Sequence, residues 1–290
     1  MPHYPKLLSI QGKFHMRVTF ILVSKINTSR MKNLNIMSYC TVTDISFFGG
    51  NAYRTAKMNA YVMVGESMSK ITQYSAINIV PEAHVDAEKW NKIPSDEEVV
   101  NTILALQRRG IKVIHVKNGQ NALDILKTII PQNAEVMDGA SVTLFEIGYR
   151  EFLDSGRSGW KSLRAAVHSE NDYTKRRELR RKSMIAQYFI SGVNAIAQTG
   201  ELVACDTGGS RVGAWHFAAR RLILVCGINK IVPTLDDALS RVREYAYPLE
   251  NIRATKKYGE SSQLGKWVIL AHEEEEDRVT VVLVDESLGY

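Results

Sequence analysis

The sequence contains little cysteine and no long apolar segment. Its 290 residues include three cysteines, and no two of them are spaced as a C-x-x-C pair. This excludes a disulfide framework, gives no motif for zinc or an iron–sulfur cluster, and favours a reducing compartment. The longest apolar runs, 18–23 and 222–228, are far shorter than the roughly 20 residues that a membrane helix needs. We therefore expect a cytoplasmic protein with no membrane span.

Histidine patterns typical of metal enzymes are also missing. The histidines show no H-E-x-x-H motif or other ligand spacing, so the sequence predicts no metal site. The charge is more unusual, with a formal net charge of +6. Residues 1–65 hold eight Lys/Arg and a single acid, Asp44, which accounts for the whole excess. Because the rest of the chain is close to neutral, we expect no nucleic-acid partner.

The first 87 residues are expected to form a weakly specified basic extension. The first 80 carry seven methionines, no sustained helical or alternating period, and few capping or turn signals. Three explanations stay open: a misassigned start with the natural initiator at Met58, Met63 or Met68, a basic organelle presequence, or a species-specific extension. A secretory signal is disfavoured because the run 18–23 is shorter than an h-region of about 7–15 residues. The sequence thus predicts one domain, residues 88–290, after this extension.

Helical and extended patterns alternate in the predicted domain. Ser95 and Glu98 form a capping box before an apolar helical period that stops at Gly110. The later elements are a strand over 111–116, a helix over 122–130, a strand over 134–137, helical stretches over 142–153 and 161–182, strands over 187–191, 201–206 and 221–226, a helix over 235–245, and strands over 267–271 and 278–284. This alternation predicts an α/β fold with a largely parallel sheet flanked by helices and a C-terminal strand pair.

Two charged stretches receive structural interpretations. The acidic run HEEEED lies between the last two strands and is read as a hairpin loop whose charges stay in water. The block KRRELRRK is typical of a solvated helix face, with an anion site as the alternative.

Polar loops follow several predicted strands, which is where open α/β sheets bind their ligands. In the first loop, Gly139 allows close backbone approach, and Ser141 and Thr143 offer hydroxyl groups to an anion. A plain capped helix explains the same residues. In the second, Asn194 offers an amide that could orient a polar ligand, and a tight hairpin with its turn at 199–200 explains the segment equally well.

Two further loops carry charge. Asp206 could act as a base and Arg211 could clamp an anion through two hydrogen bonds; the alternative is an Asp206–Arg211 ion pair that braces the loop. Lys230 could supply a point positive charge, and the alternative is an ordinary surface lysine. We expect the four loops to converge on one pocket for a small anionic molecule.

Several runs resemble the LUD-domain family (lactate utilisation protein C, formerly DUF162). They are GASVTLFEIG at 139–148, VNAIAQTGELVACDTGGSRV at 193–212 and GINKIVP at 227–233, within a resemblance that extends from about Trp90 to the carboxyl end. The resemblance implies a fold similar to that of glucosamine-6-phosphate deaminases, ribose-5-phosphate isomerases and coenzyme A transferases. It also implies a site at these positions: Gly139, Ser141 and Thr143 in the anion-holding loop, and Asn194, Glu201, Asp206, Arg211, Asn229 and Lys230 at the signature polar positions.

The resemblance further implies a role in oxidising L-lactate to pyruvate together with iron–sulfur subunits. Family members from lactate operons often carry a late cysteine cluster, whereas residues 253–267 here read RATKKYGESSQLGKW. The first function hypothesis is therefore the non-cluster component of such a system. The second is a stand-alone enzyme on a small anionic sugar phosphate or thioester, with Asp206 or Glu146 as general base and Arg211 or Lys230 holding the anion. The third is a ligand-binding or regulatory module, and the cofactor stays open in all three.

Overall fold

The computed structural model describes residues 83–290 and, before them, the backbone of five strands. The chain divides into two units, Met1–Ile71 and Thr72–Tyr290. The strands of the first unit are β1 (Val18–Ser24), β2 (Ile36–Val42), β3 (Ile45–Phe48), β4 (Asn51–Arg54) and β5 (Lys57–Asn59). Strand β2 pairs antiparallel with β1 and β5, and β3 pairs antiparallel with β4. The alternative starts Met63 and Met68 lie outside the described residues, and the boundary after residue 87 stays a prediction.

The second unit is built on a parallel sheet of six strands. These are β6 (Lys112–Val116), β7 (Glu135–Asp138), β8 (Lys161–Ser162), β9 (Tyr188–Gly192), β12 (Arg221–Gly227) and β15 (Val279–Val284), in the order β6-β15-β12-β9-β7-β8, and every pairing is parallel. The predicted α/β class with a largely parallel sheet is confirmed. Because the strands run the same way, β7, β9 and β12 end at one edge of the sheet, at Asp138, Gly192 and Gly227.

Both faces of this sheet are buried. Along β12, Leu222 and Leu224 pack into one apolar cluster, and the alternating Ile223 and Val225 pack into another on the opposite face. A strand covered on both sides is expected to be a nearly continuous apolar run, which explains the apolar stretch from Leu222 to Cys226 in this strand. The third apolar cluster lies elsewhere, around Tyr245 and its helix.

Helices surround the sheet. Their bounds are Ala87–Trp90, Asp96–Arg108, Gly119–Ile129, Val142–Glu146, Tyr149–Asp154, Leu163–Ser169, Tyr173–Lys182, Ser210–Gly213, Leu235–Arg241 and Tyr247–Tyr258. The predicted capping box is present: the Glu98 backbone N–H donates to Ser95 Oγ, and the Ser95 N–H donates to the Glu98 carboxylate. In the part of the chain that the structure describes, no helix combines the length and apolar character needed to cross a membrane.

A smaller four-stranded sheet holds β13 (Ile231–Val232), β10 (Ala195–Ala197), β11 (Leu202–Asp206) and β14 (Lys266–Leu270), in that order. Strands β10 and β11 form the antiparallel hairpin that was the alternative for this segment, with Gly200 in its turn at φ +98°. Both C-terminal strands exist, but the predicted hairpin between them is wrong. Strand β14 pairs antiparallel with β11, whereas β15 lies in the six-stranded sheet between β6 and β12.

Three helical predictions need correction. The predicted helical stretch 161–182 begins with strand β8 and then forms two helices, Leu163–Ser169 and Tyr173–Lys182. The predicted helix 142–153 is two helices, because Gly148 takes a left-handed conformation at φ +76° between them. The predicted helix 235–245 instead continues through a π-helical turn, Val242–Ala246, into the helix that ends at Tyr258.

Candidate functional site

A cavity of about 540 Å³ lies at the carboxyl edge of the parallel sheet. Its wall is formed by the loops after β7, β9 and β11 and by helices that pack above them. The predicted site residues that line it are Gly139, Ser141, Thr143, Asn194, Asp206, Arg211 and Lys230. The structure therefore brings these seven positions, separated by up to 91 residues, to one cavity.

Close backbone approach shapes the loop after β7. A Cβ at Gly139 would lie 3.2 Å from Ser191 Oγ, which is closer than most Cβ contacts, and 3.5 Å from Arg211 Cδ, which is ordinary contact, so the glycine lets this loop lie close to Ser191. Ser141 Oγ accepts the Leu144 N–H at 3.2 Å and caps the helix Val142–Glu146. The capped helix proposed as the plain alternative is thus present, and the same serine also faces the cavity.

Lys230 is buried, so its interpretation as a surface lysine is wrong. Its side chain lies against the loop after β7, and Nζ donates to Thr143 Oγ1 at 2.9 Å and to the Val193 carbonyl at 2.9 Å. The Thr143 hydroxyl in turn donates a hydrogen bond to the Leu288 carbonyl at 3.3 Å. Burial lowers the pKa of Lys230 to about 8, because the charged ammonium is penalised where water is excluded.

Arg211 and Asp206 are coupled through the backbone. Asp206 Oδ2 accepts the backbone N–H of Arg211 at 2.9 Å, and Oδ1 accepts the Gly208 N–H at 3.3 Å. The Arg211 guanidinium instead donates to Asn194 Oδ1 at 3.2 Å and to the Cys205 carbonyl. Among the described side chains no carboxylate pairs with this guanidinium, so the predicted ion-pair alternative is wrong. The acceptors of the Arg211 guanidinium are therefore neutral, and the residue lines the cavity.

Glu201, Asn229 and Glu146 do not line the cavity, so the structure does not bring these three to the predicted site. Glu201 precedes β11, and five residues at about 3.4 Å each place it roughly 17 Å from Asp206 at the other end. Its carboxylate pairs with Arg109.

The other two contact the chain's last residues. Asn229 accepts the Leu288 N–H at 3.1 Å and donates to Asn91 at 2.7 Å, and it is buried. The Glu146 carboxylate accepts the Gly289 N–H at 2.6 Å. Both side chains therefore hold the C-terminal segment against the site, and neither faces the cavity.

Sequence reasoning missed most of the positive charge. The wall carries seven Lys/Arg and three acids: Arg150, Arg164, Arg180, Arg211, Lys230, Arg253 and Lys257 against Asp154, Asp206 and Glu250. The five that were not predicted lie on helices outside the predicted loops: Arg150, Arg164, Arg180, Arg253 and Lys257. One of them, Arg180, lies in the block KRRELRRK, for which an anion site was the alternative interpretation.

Metal donors are not grouped in this part of the molecule. Over residues 83–290 no set of three or more His, Cys, Asp or Glu side chains is arranged to hold a metal ion. The two cysteines described there are free; Cys226 is buried and Cys205 is half-buried in the cavity wall. Burial raises the pKa of the Cys226 thiol to about 11, which keeps it protonated at neutral pH.

Comparison with known proteins gives a family. The chain is similar to a DUF162 family protein from Deinococcus radiodurans, with 14% identity over 66% of this chain and 99% of that chain, at a TM-score of 0.40. It is also similar to eIF2B beta from Chaetomium thermophilum, with 16% identity over 48% of this chain and 42% of that one, at a TM-score of 0.24. Among curated proteins no relative matches. The LUD domain model matches residues 99–284, which is well over half of the sequence, so the chain belongs to the LUD domain family.

Proposed function

We propose that this protein binds a small organic anion in its cavity as the non-cluster component of a cytoplasmic L-lactate-oxidising system. The observation that supports anion binding is the cavity wall, where seven Lys/Arg face three acids. Membership of the LUD domain family supports the link to lactate. Redox chemistry would reside in iron–sulfur partner subunits, because the described residues offer no cluster ligand set.

Arg211 and Lys230 are the groups that would hold the carboxylate. The Arg211 guanidinium is fixed by Asn194 and the Cys205 carbonyl, so little side-chain entropy is lost when it binds an anion. Lys230 adds a buried positive charge next to the Thr143 hydroxyl. Asp206 lies in the same wall and stays our candidate for a general base.

A second candidate is a stand-alone enzyme acting on a sugar phosphate or a thioester. The cavity volume of about 540 Å³ favours it, because pockets of roughly 300–1,000 Å³ enclose ligands far larger than a three-carbon acid. Turnover by the purified chain without partners would support this candidate over the first.

Calorimetric titration of the purified full chain with L-lactate and pyruvate tests the proposal. We expect binding, and at least a tenfold loss of affinity in Arg211→Ala, because a charge-assisted hydrogen-bonding group is removed. The matched control is Arg109→Ala, which removes a guanidinium paired with Glu201 outside the cavity. Equal losses in both variants, or no binding by the wild type, would contradict the proposal.

Growth tests the metabolic part. In the native host, deletion should abolish growth on L-lactate, and the wild-type gene but not the Arg211→Ala variant should restore it. An affinity-tagged chain should co-purify with an iron–sulfur protein. Normal growth of the deletion strain on lactate would refute the lactate assignment and leave the binding result standing.

A further inference from the structure

Three arginines and one histidine, carried by three helices, line one part of the cavity. Arg150 comes from Tyr149–Asp154, Arg164 and His168 from Leu163–Ser169, and Arg180 from Tyr173–Lys182. We call these four residues the arginine corner. None of them belongs to the loops that the family motifs cover.

A buried carboxylate holds two of the guanidinium groups in place. Asp138 is the last residue of β7, and its side chain is 0% exposed. Both of its oxygens accept from Arg150, and Arg164 Nη1 lies 3.6 Å from Oδ2. One carboxylate therefore orients two guanidinium groups and leaves positive charge uncompensated between them. Such fixed donors bind an anion with little loss of conformational entropy.

The other two members carry no carboxylate partner among the described residues. Arg180 donates to Ser210 Oγ at 3.0 Å, a neutral acceptor that leaves its charge intact. Partial burial, together with the guanidinium groups of Arg164, Arg150 and Arg180, lowers the pKa of His168. Burial and the neighbouring guanidinium groups thus both disfavour the charged imidazolium form of His168. Asp154 is the acid that lines this part of the cavity wall, and Asp138 is buried behind it. The three guanidinium groups therefore outnumber the two carboxylates near them.

We propose that the arginine corner is a phosphate-binding subsite of the same cavity. This inference rests on the proposed function, because it assumes that the cavity binds an anion. A phosphate group carries up to two negative charges and three free oxygens, whereas a carboxylate carries one charge and two oxygens. Donors that converge from three helices match the phosphate.

Titration with inorganic phosphate tests the subsite. The informative variant is Arg180→Gln, because the helix that carries it buries no residue and should fold unchanged. The matched control is Arg181→Gln on the same helix, whose side chain is 62% exposed, pairs with Glu178 and does not line the cavity. We expect Kd for phosphate to rise at least tenfold in Arg180→Gln and to stay within about twofold in Arg181→Gln, since only the first removes a charge-assisted contact.

Arg164→Gln gives an independent second variant. Asp138 keeps its two hydrogen bonds to Arg150 in this variant, so no buried charge is left unpaired. We again expect at least a tenfold rise in Kd for phosphate, with a melting temperature close to that of the wild type. No phosphate binding by the wild type, or equal affinities in Arg180→Gln and Arg181→Gln, would overturn the proposal.

Carboxylate probes separate this inference from the proposed function. If L-lactate or pyruvate binds and Arg211→Ala abolishes the binding, but phosphate neither binds nor competes, the subsite is refuted and the proposed function stands. If phosphate binds and Arg180→Gln loses it while neither carboxylate binds, the subsite is supported and the lactate assignment fails. If no probe binds, both are refuted.

Discussion

Replacing Lys230 with methionine would remove an ammonium group that is 2% exposed. Burial lowers its pKa to about 8 in the folded protein, and the ordinary value for an unfolded chain is 10.5. Cys226, Arg241, Glu146 and Arg211 are the titratable or charged neighbours that modify this value. The two pKa values define a pH window in which stability depends on this one residue.

Between pH 8 and 10.5 the unfolded lysine holds its proton and the folded lysine does not. Stability rises with pH wherever the unfolded state binds more protons, so this lysine makes folding more favourable as pH increases. A pKa shift of one unit corresponds to about 1.4 kcal/mol of stability. For the two pKa values of Lys230, raising the pH from 7 to 10 should increase the free energy of unfolding by about 2–3 kcal/mol. Methionine cannot titrate, so Lys230→Met should lose this gain.

Chemical unfolding of wild type and variant at several pH values between 7 and 10 measures the effect. The free energy of unfolding of the wild type, minus that of Lys230→Met, should increase by about 2–3 kcal/mol over this range. The control is Lys117→Met, which removes an exposed lysine and should give a difference constant to within about 0.5 kcal/mol. A flat difference for Lys230→Met would show that the amine is accessible to water, and would refute its burial in the cavity wall.

Three further outcomes are expected. Gly200→Ala should destabilise the protein by about 1–3 kcal/mol in chemical unfolding, because φ is +98° and the added Cβ would lie 2.9 Å from the Ala105 backbone. Asp138→Asn should cost about 3 kcal/mol in the same assay, since the Arg150 guanidinium loses its buried carboxylate. Saturating inorganic phosphate should raise the pKa of His168 in an NMR titration, because a nearby anion favours the imidazolium; no change would place the phosphate elsewhere.

The alternating pattern was enough to predict most elements of the second unit. The helix Asp96–Arg108 begins at the predicted capping box, and β12 is apolar from Leu222 to Cys226 because both of its faces are covered. These features depend on residues close together in the sequence. Local chemistry decides them, so local patterns predict them.

The last two strands show where local reasoning fails. An acidic run between two strands favours a hairpin, but the two strands differ in how they are buried, which indicates that they lie in different sheets. Every residue of β15 is buried, as expected inside a sheet covered on both faces, whereas β14 contains exposed positions typical of a half-covered antiparallel sheet. Two strands with such different patterns belong in different sheets. The composition of each strand was visible in the sequence and was a better guide than their proximity.

The loops after β7, β9 and β12 met at the cavity because these parallel strands end at the same edge, a rule that needs only the order of the elements. The loop after β11 reaches the cavity from the four-stranded sheet, which this rule does not cover. The burial of Lys230 could also have been predicted from the sequence. Ile228 and Ile231 stand on either side of it in the sequence, and this segment directly follows the apolar strand β12. Glu201 was misplaced because a family signature marks a position and does not tell which end of a short strand faces the ligand.

The arginine corner needed tertiary information. The helix Tyr173–Lys182 buries no residue, so no apolar stripe indicates which of its basic side chains faces the protein, and Arg180 looks the same as Arg181 in the sequence. One local signal was overlooked: Asp138 ends a buried strand, and a carboxylate there needs a positively charged partner. A search for that partner among nearby arginines would have led to Arg150, and through it to the helical side of the cavity.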